Sequence, residues 1–215
     1  MGMNKDYDLY LFDLDGTLMD SREIIGESIN ASIEFAGKPR VNIEEVYPFI
    51  GLPFKDYFDH FLGLERPNDD DLIRVYREHF RRNINLLRLF PDVKESLERL
   101  KDSNKKIATM TTRPIENVHD VLNFLEIHDL FDYFWGIGVD EFHKPDAGCV
   151  YTVTNYFDMP LEQTVLVGDS ITDLNTAKNA KVDFVGVTFG TLGKEGMVEH
   201  GVERVINSLK ELVEF

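Results

Sequence analysis

The sequence predicts an α/β chain: a parallel sheet covered by helices, with an all-helical segment inserted near its start. Three observations predict it. From residue 90 onward, short apolar runs alternate with segments of helical periodicity, the pattern of strands joined by crossover helices. Residues 19–89 show helical periodicity and no convincing strand. Several apolar runs end in acidic, hydroxyl or amine residues, and in an open parallel sheet the carboxyl ends of the strands line the ligand crevice. The chain has 215 residues, 43% of them hydrophobic, enough for one substantial core with a modest insertion.

Taken in order, Tyr7 to Phe12 reads as a buried strand. In the insertion, Ile25, Ile29, Ile33 and Ala36 recur at helical spacing, as do Leu72, Tyr76, Phe80 and Ile84. Gly37-Lys38-Pro39, Gly51-Leu52-Pro53 and the stretch 63–67 punctuate these helices, so four helices are expected. Val93, Leu97 and Leu100 mark the next helix. Then follow a strand at 106–110, a helix at 114–125, a strand at 132–139 and a helix at 146–157. A strand at 164–167, a helix at 173–180, a strand at 183–187, a short strand near 202–206 and a final helix complete the chain. The α/β core is therefore expected at 1–18 plus 90–215, discontinuous in sequence, with the helical domain at 19–89.

The most informative segment is Asp13-Leu14-Asp15-Gly16-Thr17, directly behind the first strand. Acidic residues are poor strand material and dislike burial, so two at i and i+2 on a strand mouth need a chemical reason. Strand periodicity turns both to one side. Two close carboxylates raise each other's pKa unless a cation offsets their charge. A calcium loop is excluded, because counting from Asp13 places Leu18 where that loop needs glycine and Ile24 where it needs glutamate. There is no GxxxxGK[ST] or GxGxxG. A plain turn, with Asp20 or Ser21 capping the next helix, is the structural alternative.

Later strand ends add partners. Lys106 to Met110 runs into Thr111-Thr112-Arg113-Pro114, where proline would open a helix whose free N–H groups suit an anion. Thr111 could equally be an ordinary cap. Lys144-Pro145-Asp146 follows the apolar run 131–139, and Thr164 to Val167 delivers Gly168-Asp169-Ser170-Ile171-Thr172-Asp173. Taken alone, Lys144 would pass for a solvated surface lysine.

These four segments, in this order, resemble the motifs of the haloacid dehalogenase (HAD) superfamily, and DLDGTLMDS at 13–21 is similar to the first motif of its phosphatase branch with a helical cap. The likeness covers nearly the whole chain. Within that group the sequence most resembles phosphoglycolate phosphatases and their small relatives, GVTFG at 186–190 included. The resemblance implies a Rossmann-like core with a four-helix cap and a phosphatase mechanism. Asp13 would attack phosphorus and become a phospho-aspartate; Asp15 would protonate the leaving alkoxide and later take a proton from water. It implies Mg2+ held by Asp13, the backbone carbonyl of Asp15, and Asp169, with Asp173 orienting a metal-bound water. Lys144 and Thr111 would grip the phosphoryl oxygens. Relatives of the dehalogenase branch lack the second aspartate, so its presence here favours phosphate chemistry. Two departures stand out: Thr112 replaces a frequent asparagine, weakening the phosphate contact expected there, and Ala147 replaces a second proline after Lys144.

The resemblance gives the cap the task of selecting substrate, with 47–53 in the region of the specificity loop. Its apolar residues serve equally well as helix packing. Arg74, Arg77, Arg81, Arg82 and Arg88 could steer anions, though with Glu78 interleaved they read as a solvated face.

A net charge of −16 argues against nucleic-acid binding. No apolar stretch approaches the roughly 18 residues of a membrane span. The N-terminus lacks signal-peptide and myristoylation patterns, and Met1-Gly2 ahead of Met3 reads as an added remnant. The lone Cys149 permits no internal disulfide, consistent with a cytoplasmic setting. His79, His119 and His128 show no metal spacing. The expected function is Mg2+-dependent hydrolysis of a small phosphomonoester, 2-phosphoglycolate first. A pyrophosphatase or nucleotidase, or a sugar-phosphate mutase, would use the same core. A non-catalytic binding protein would not need an acid/base partner at i+2.

Overall fold

The computed structural model describes residues 5–52, 54–63 and 66–213. Pro53, part of the stretch 63–67 and Met1-Gly2 lie outside the described residues. The chain divides into two compact units, one of Met1–Met19 with Leu89–Phe215 and one of Asp20–Arg88.

In chain order the elements are β1 Leu9–Phe12, β2 Met19–Asp20, α1 Arg22–Phe35, α2 Ile43–Val46, α3 Phe54–Leu62, α4 Asp69–Arg82 and β3 Arg88–Leu89. Then come α5 Val93–Asp102, β4 Lys106–Pro114, α6 Ile115–Phe124, β5 Tyr133–Ile137, α7 Gly148–Phe157 and β6 Thr164–Gly168. The last are α8 Ile171–Ala180, β7 Asp183–Val187, α9 Gly193–Glu199 and β8 Arg204–Ile206. β2 and β3, two residues each, pair with one another.

The main sheet runs β5-β4-β1-β6-β7-β8, all parallel. Leu9 and Leu11 point to a face packed with Trp135, Cys149, Val150, Val153, Leu166, Ala177 and Ala180, the side of α7 and α8. Tyr10 and Phe12, fully buried, point the other way. A strand apolar on both faces is what a helix-covered parallel sheet requires. β1 is central, and the chain leaves it toward β4 on one side and β6 on the other. That reversal of direction is where open α/β sheets hold ligands.

Several element limits differ from the sequence expectation. β4 continues four residues past Met110, so Pro114 ends a strand and caps α6 instead of opening it (φ −55°, ψ 136°). The final helix is a 3-10 turn at Leu209–Leu212. α9 was not expected, because Gly193 and Gly196 in a seven-residue segment conceal its helical character.

In the helical unit, α1 packs along α4, and the Ser32 hydroxyl donates to Leu72 O at 2.8 Å. Gly26 admits Ile43, whose Cγ2 would lie 2.5 Å from a Cβ there. Phe49 packs at tilted angles against Tyr57, His60 and Phe61, and Ile50 is buried. These two residues of the segment 47–53 thus pack within the helical unit. Arg74 is paired with Asp71 and Glu78, and Arg82 lies near Glu78. Among the described residues no helix is long and apolar enough to cross a membrane.

Candidate active site

Asp13 continues β1 by one residue, its N–H donating to Val167 O at 3.0 Å. The register sets Phe12 beside Thr109 and Val167, so Asp13 emerges between the middle of β4 and the end of β6. Immediately after it the chain closes a tight turn: Leu18 N and Met19 N both donate to Leu14 O, and Gly16 takes φ +84°. Glycine is needed there for space as well as for φ. A Cβ at Gly16 would lie 2.3 Å from Asp169 Oδ2.

Lys144 joins the end of β1, the middle of β4 and the first turn of α8. Its Nζ donates to Asp13 Oδ1 at 2.8 Å, Asp173 Oδ1 at 2.5 Å and Met110 O at 2.9 Å, which uses all three ammonium protons. Burial alone would lower its pKa, but Asp13 and Asp173 raise it, so the ammonium stays charged. The Lys144–Pro145 peptide is cis.

Asp169 follows β6. Its Oδ1 accepts from the Thr17 hydroxyl at 3.2 Å and its Oδ2 from Thr191 N at 2.6 Å. Asp173 stands in the first turn of α8 and completes a capping box with Ser170. Its Oδ2 accepts from Ser170 N, Ser170 Oγ and Asp169 N, at 3.0, 2.6 and 3.3 Å. Asp13, Asp169 and Asp173 are all buried, and one oxygen of each lies within 4.8 Å of the others. Asp173 thus lies within reach of the same point as Asp13 and Asp169, with both of its oxygens already accepting hydrogen bonds.

Asp15 is held separately. Arg113 donates to it through Nε and Nη2, at 2.6 and 2.7 Å, a two-pronged pair that residue spacing did not disclose. Thr111 is fully buried, and its hydroxyl oxygen accepts from Arg113 N at 3.2 Å, leaving its own proton to donate elsewhere. Thr112 is half-buried beside it. The structure thus gathers Asp13, Lys144, Asp169 and Asp173 into one bonded cluster. It ties Asp15 to the end of β4 through Arg113, whose N–H also meets the Thr111 hydroxyl; among the described residues no side-chain hydrogen bond joins Thr111 or Thr112 to Asp13, Lys144, Asp169 or Asp173.

Four carboxylates here face two cations, Lys144 and Arg113, which leaves a formal deficit of two positive charges. The consequence is visible in the acids. Burial raises Asp13 well above the usual carboxylate range, with Asp173, Asp169 and Asp15 adding to the rise and Lys144 opposing it. Burial and then Asp173 push Asp169 up to about 6. No hydrogen bond from a described residue reaches Oδ2 of Asp13. Hard oxygen donors converging on a twofold charge deficit fit a hard divalent cation. Asp13 and Asp169 could hold it: Oδ2 of Asp13 is unengaged by the described residues, and Asp169 accepts only from uncharged donors, whereas Asp173 already pairs with the Lys144 ammonium.

Other candidates serve structure. Cys149 is buried in the sheet-helix core, where burial and then Asp140 push its thiol up to about 12. His119 and His128 share a ring-to-ring hydrogen bond of 3.0 Å, and His79 lies against Ser28. Thr17, Thr191 and Arg113 were not anticipated. Of these, Thr191 had a signal in the sequence, since it follows the glycine-ended run 186–190.

The sequence profile of haloacid dehalogenase-like hydrolases matches residues 10–187. A protein of Caldanaerobacter subterraneus named as a candidate pyrophosphatase, PpaX, is 30% identical over 207 residues, covering 94% of this chain and 91% of the relative. A phosphoglycolate phosphatase of Colwellia psychrerythraea is 25% identical over 218 residues, covering 97% and 96%. Among solved structures, one from Haemophilus somnus named as a predicted phosphoglycolate phosphatase superposes with a TM-score of 0.88 at 26% identity, covering 99% of each chain.

Proposed function

The chain belongs to the haloacid dehalogenase-like hydrolases and is a phosphatase; from that premise we propose that it hydrolyses a small phosphomonoester, 2-phosphoglycolate first, through a phosphorylated Asp13 with Mg2+ bound. The observation that carries this reading is the cluster at the mouth of β1. Asp13 offers one oxygen to Lys144 and lies within 4.8 Å of Asp169 and Asp173, with a second aspartate two residues on.

In the first displacement an oxygen of Asp13 forms a bond to phosphorus as the ester oxygen leaves, and Asp15 gives that oxygen a proton. In the second, water forms the new bond to phosphorus, the Asp13–phosphorus bond breaks, and Asp15 takes back a proton. Splitting hydrolysis this way replaces one difficult step by two easier ones. Lys144 is fixed by Asp173 and Met110 O before substrate arrives, so its charge needs no reorganisation as negative charge spreads over the phosphoryl oxygens. The Thr111 hydroxyl proton serves the same oxygens, with Thr112 as the more distant candidate. A divalent cation held by Asp13, Asp169 and the backbone carbonyl of Asp15 would neutralise the phosphoryl group and let a carboxylate approach it. Asp173 supports Lys144 and the Asp169 backbone. The helical unit 20–88 is assigned the choice of substrate.

A second reading, hydrolysis of pyrophosphate, draws on the most identical relative quoted above. One panel separates the two: kcat/KM for 2-phosphoglycolate, pyrophosphate, nucleoside monophosphates and sugar phosphates, with Mg2+ and with EDTA. The proposal expects phosphoglycolate to lead and EDTA to silence every substrate reversibly. A lead for pyrophosphate transfers the assignment to the second reading, and full activity in EDTA contradicts both.

A further inference from the structure

We propose that Arg113 is the positioning residue of the acid/base step, a forked cation that fixes the Asp15 carboxylate in the plane from which it exchanges protons. The inference rests on the reading of Asp15 given above. Arg113 and Asp15 lie 98 residues apart in sequence, yet Nε meets Oδ2 at 2.6 Å and Nη2 meets Oδ1 at 2.7 Å. Their side chains are only 9% and 10% exposed. Two parallel N–H donors fix a carboxylate's position and its plane together, whereas a lysine ammonium fixes only a distance.

The backbone is shaped to deliver this side chain. Met110 pairs with Trp135, but Pro114 pairs with Ile137, so β4 advances four residues while β5 advances two. Such irregularities re-aim side chains beside active sites. Opposite the irregularity stands Gly136, where a Cβ would lie 2.6 Å from the Arg113 carbonyl oxygen. Strand, irregularity and glycine together place one guanidinium on one carboxylate. Lys144 supplies the cation bonded to Asp13, and Arg113 the one bonded to Asp15.

The test compares wild type, Arg113→Lys, Arg113→Met and Asp15→Asn in the full chain with Mg2+, on 2-phosphoglycolate and on 4-nitrophenyl phosphate. Nitrophenolate leaves without a proton, whereas an alkoxide needs one. For both Arg113 variants, kcat on the alkyl ester should fall about 10- to 100-fold, less than the loss of a whole acid/base group, while KM moves by less than about threefold. On the nitrophenyl ester the first turnover should keep its wild-type rate and then stall, giving a burst of one nitrophenolate per enzyme, because attack by water still needs an oriented Asp15. Arg113→Lys keeps the charge and most of the volume, so it carries the test if Arg113→Met does not fold. A raised KM with kcat retained would make Arg113 a substrate-binding group and overturn the proposal. Equal first-turnover losses on both esters, or unchanged kinetics, would also overturn it. If Asp15→Asn is slow while the Arg113 variants are normal, only this inference fails; if Asp15→Asn matches wild type, the reading of Asp15 fails with it.

Discussion

The two flanks of β1 place charged side chains at strand ends by opposite means. On the β6 side the devices are local: Asp173 is set by its own capping box, and Asp169 by the next turn of chain and by Thr191 some twenty residues on. On the β4 side the partner of Asp15 arrives from 98 residues away, through an irregular strand and a single-pronged dependence on Gly136. The difference teaches where each flank is vulnerable. On the proposed reading the β6 side would serve charge and metal, and the β4 side proton transfer.

The same substitution on each flank breaks this comparison most sharply. At Gly190 a Cβ would lie 2.2 Å from Asp169 Cβ and 2.5 Å from Gly16 O. Gly190→Ala must therefore move Asp169, and the Mg2+ concentration for half-maximal activity should rise about 10- to 100-fold, the usual cost of disturbing a ligand's support. Gly136→Ala should lower kcat and leave that Mg2+ concentration where it is. Titrating Mg2+ against activity in both variants is enough. An unchanged Mg2+ requirement in Gly190→Ala would remove Asp169 from the metal.

A smaller effect, in stability, sharpens the metal side. The folded-state pKa of Asp169, raised to about 6 by burial and by Asp173, exceeds its unfolded value of about 3.9. The metal-free fold binds that proton more tightly than the unfolded chain does. This contribution is present at low pH and is lost, by up to about 3 kcal/mol, as pH rises through the interval between the two values. A divalent cation takes the proton's place. The gain in Tm on adding Mg2+ should therefore be small near pH 5 and grow as pH rises through about 6. A gain independent of pH over that range, measured by thermal melting at constant ionic strength, would separate the metal from this carboxylate.

The sequence discloses those parts of the site that local chemistry dictates. Two aspartates at i and i+2 behind an apolar run need no tertiary context to be noticed. Asp169 and Asp173 are similarly exposed to view by the strand before them and the helix after. Lys144 had to be inferred from its neighbours, because a lysine in a loop carries no signal of its own burial. Arg113 was hidden for a different reason: the sequence does not show which way an irregular strand turns its side chains, and the proline after it suggested that the strand had already ended. Likewise β2 and β3, at two residues each, are too short to display a period. The contact of Asp173 with Lys144 depends on how α8 seats against β6, again a matter of tertiary packing.

The central claim is that Asp13 is the group phosphorylated in a metal-balanced cluster, and one measurement meets it directly. Asp15→Asn protein is mixed with 2-phosphoglycolate and Mg2+, quenched in acid within the first turnovers, digested and examined by mass spectrometry. One phosphate on the peptide containing Asp13, absent when EDTA is present and absent from the additional Asp13→Asn variant, is the expected result. Substrate turnover with no phosphate on Asp13 at any time point would contradict the account.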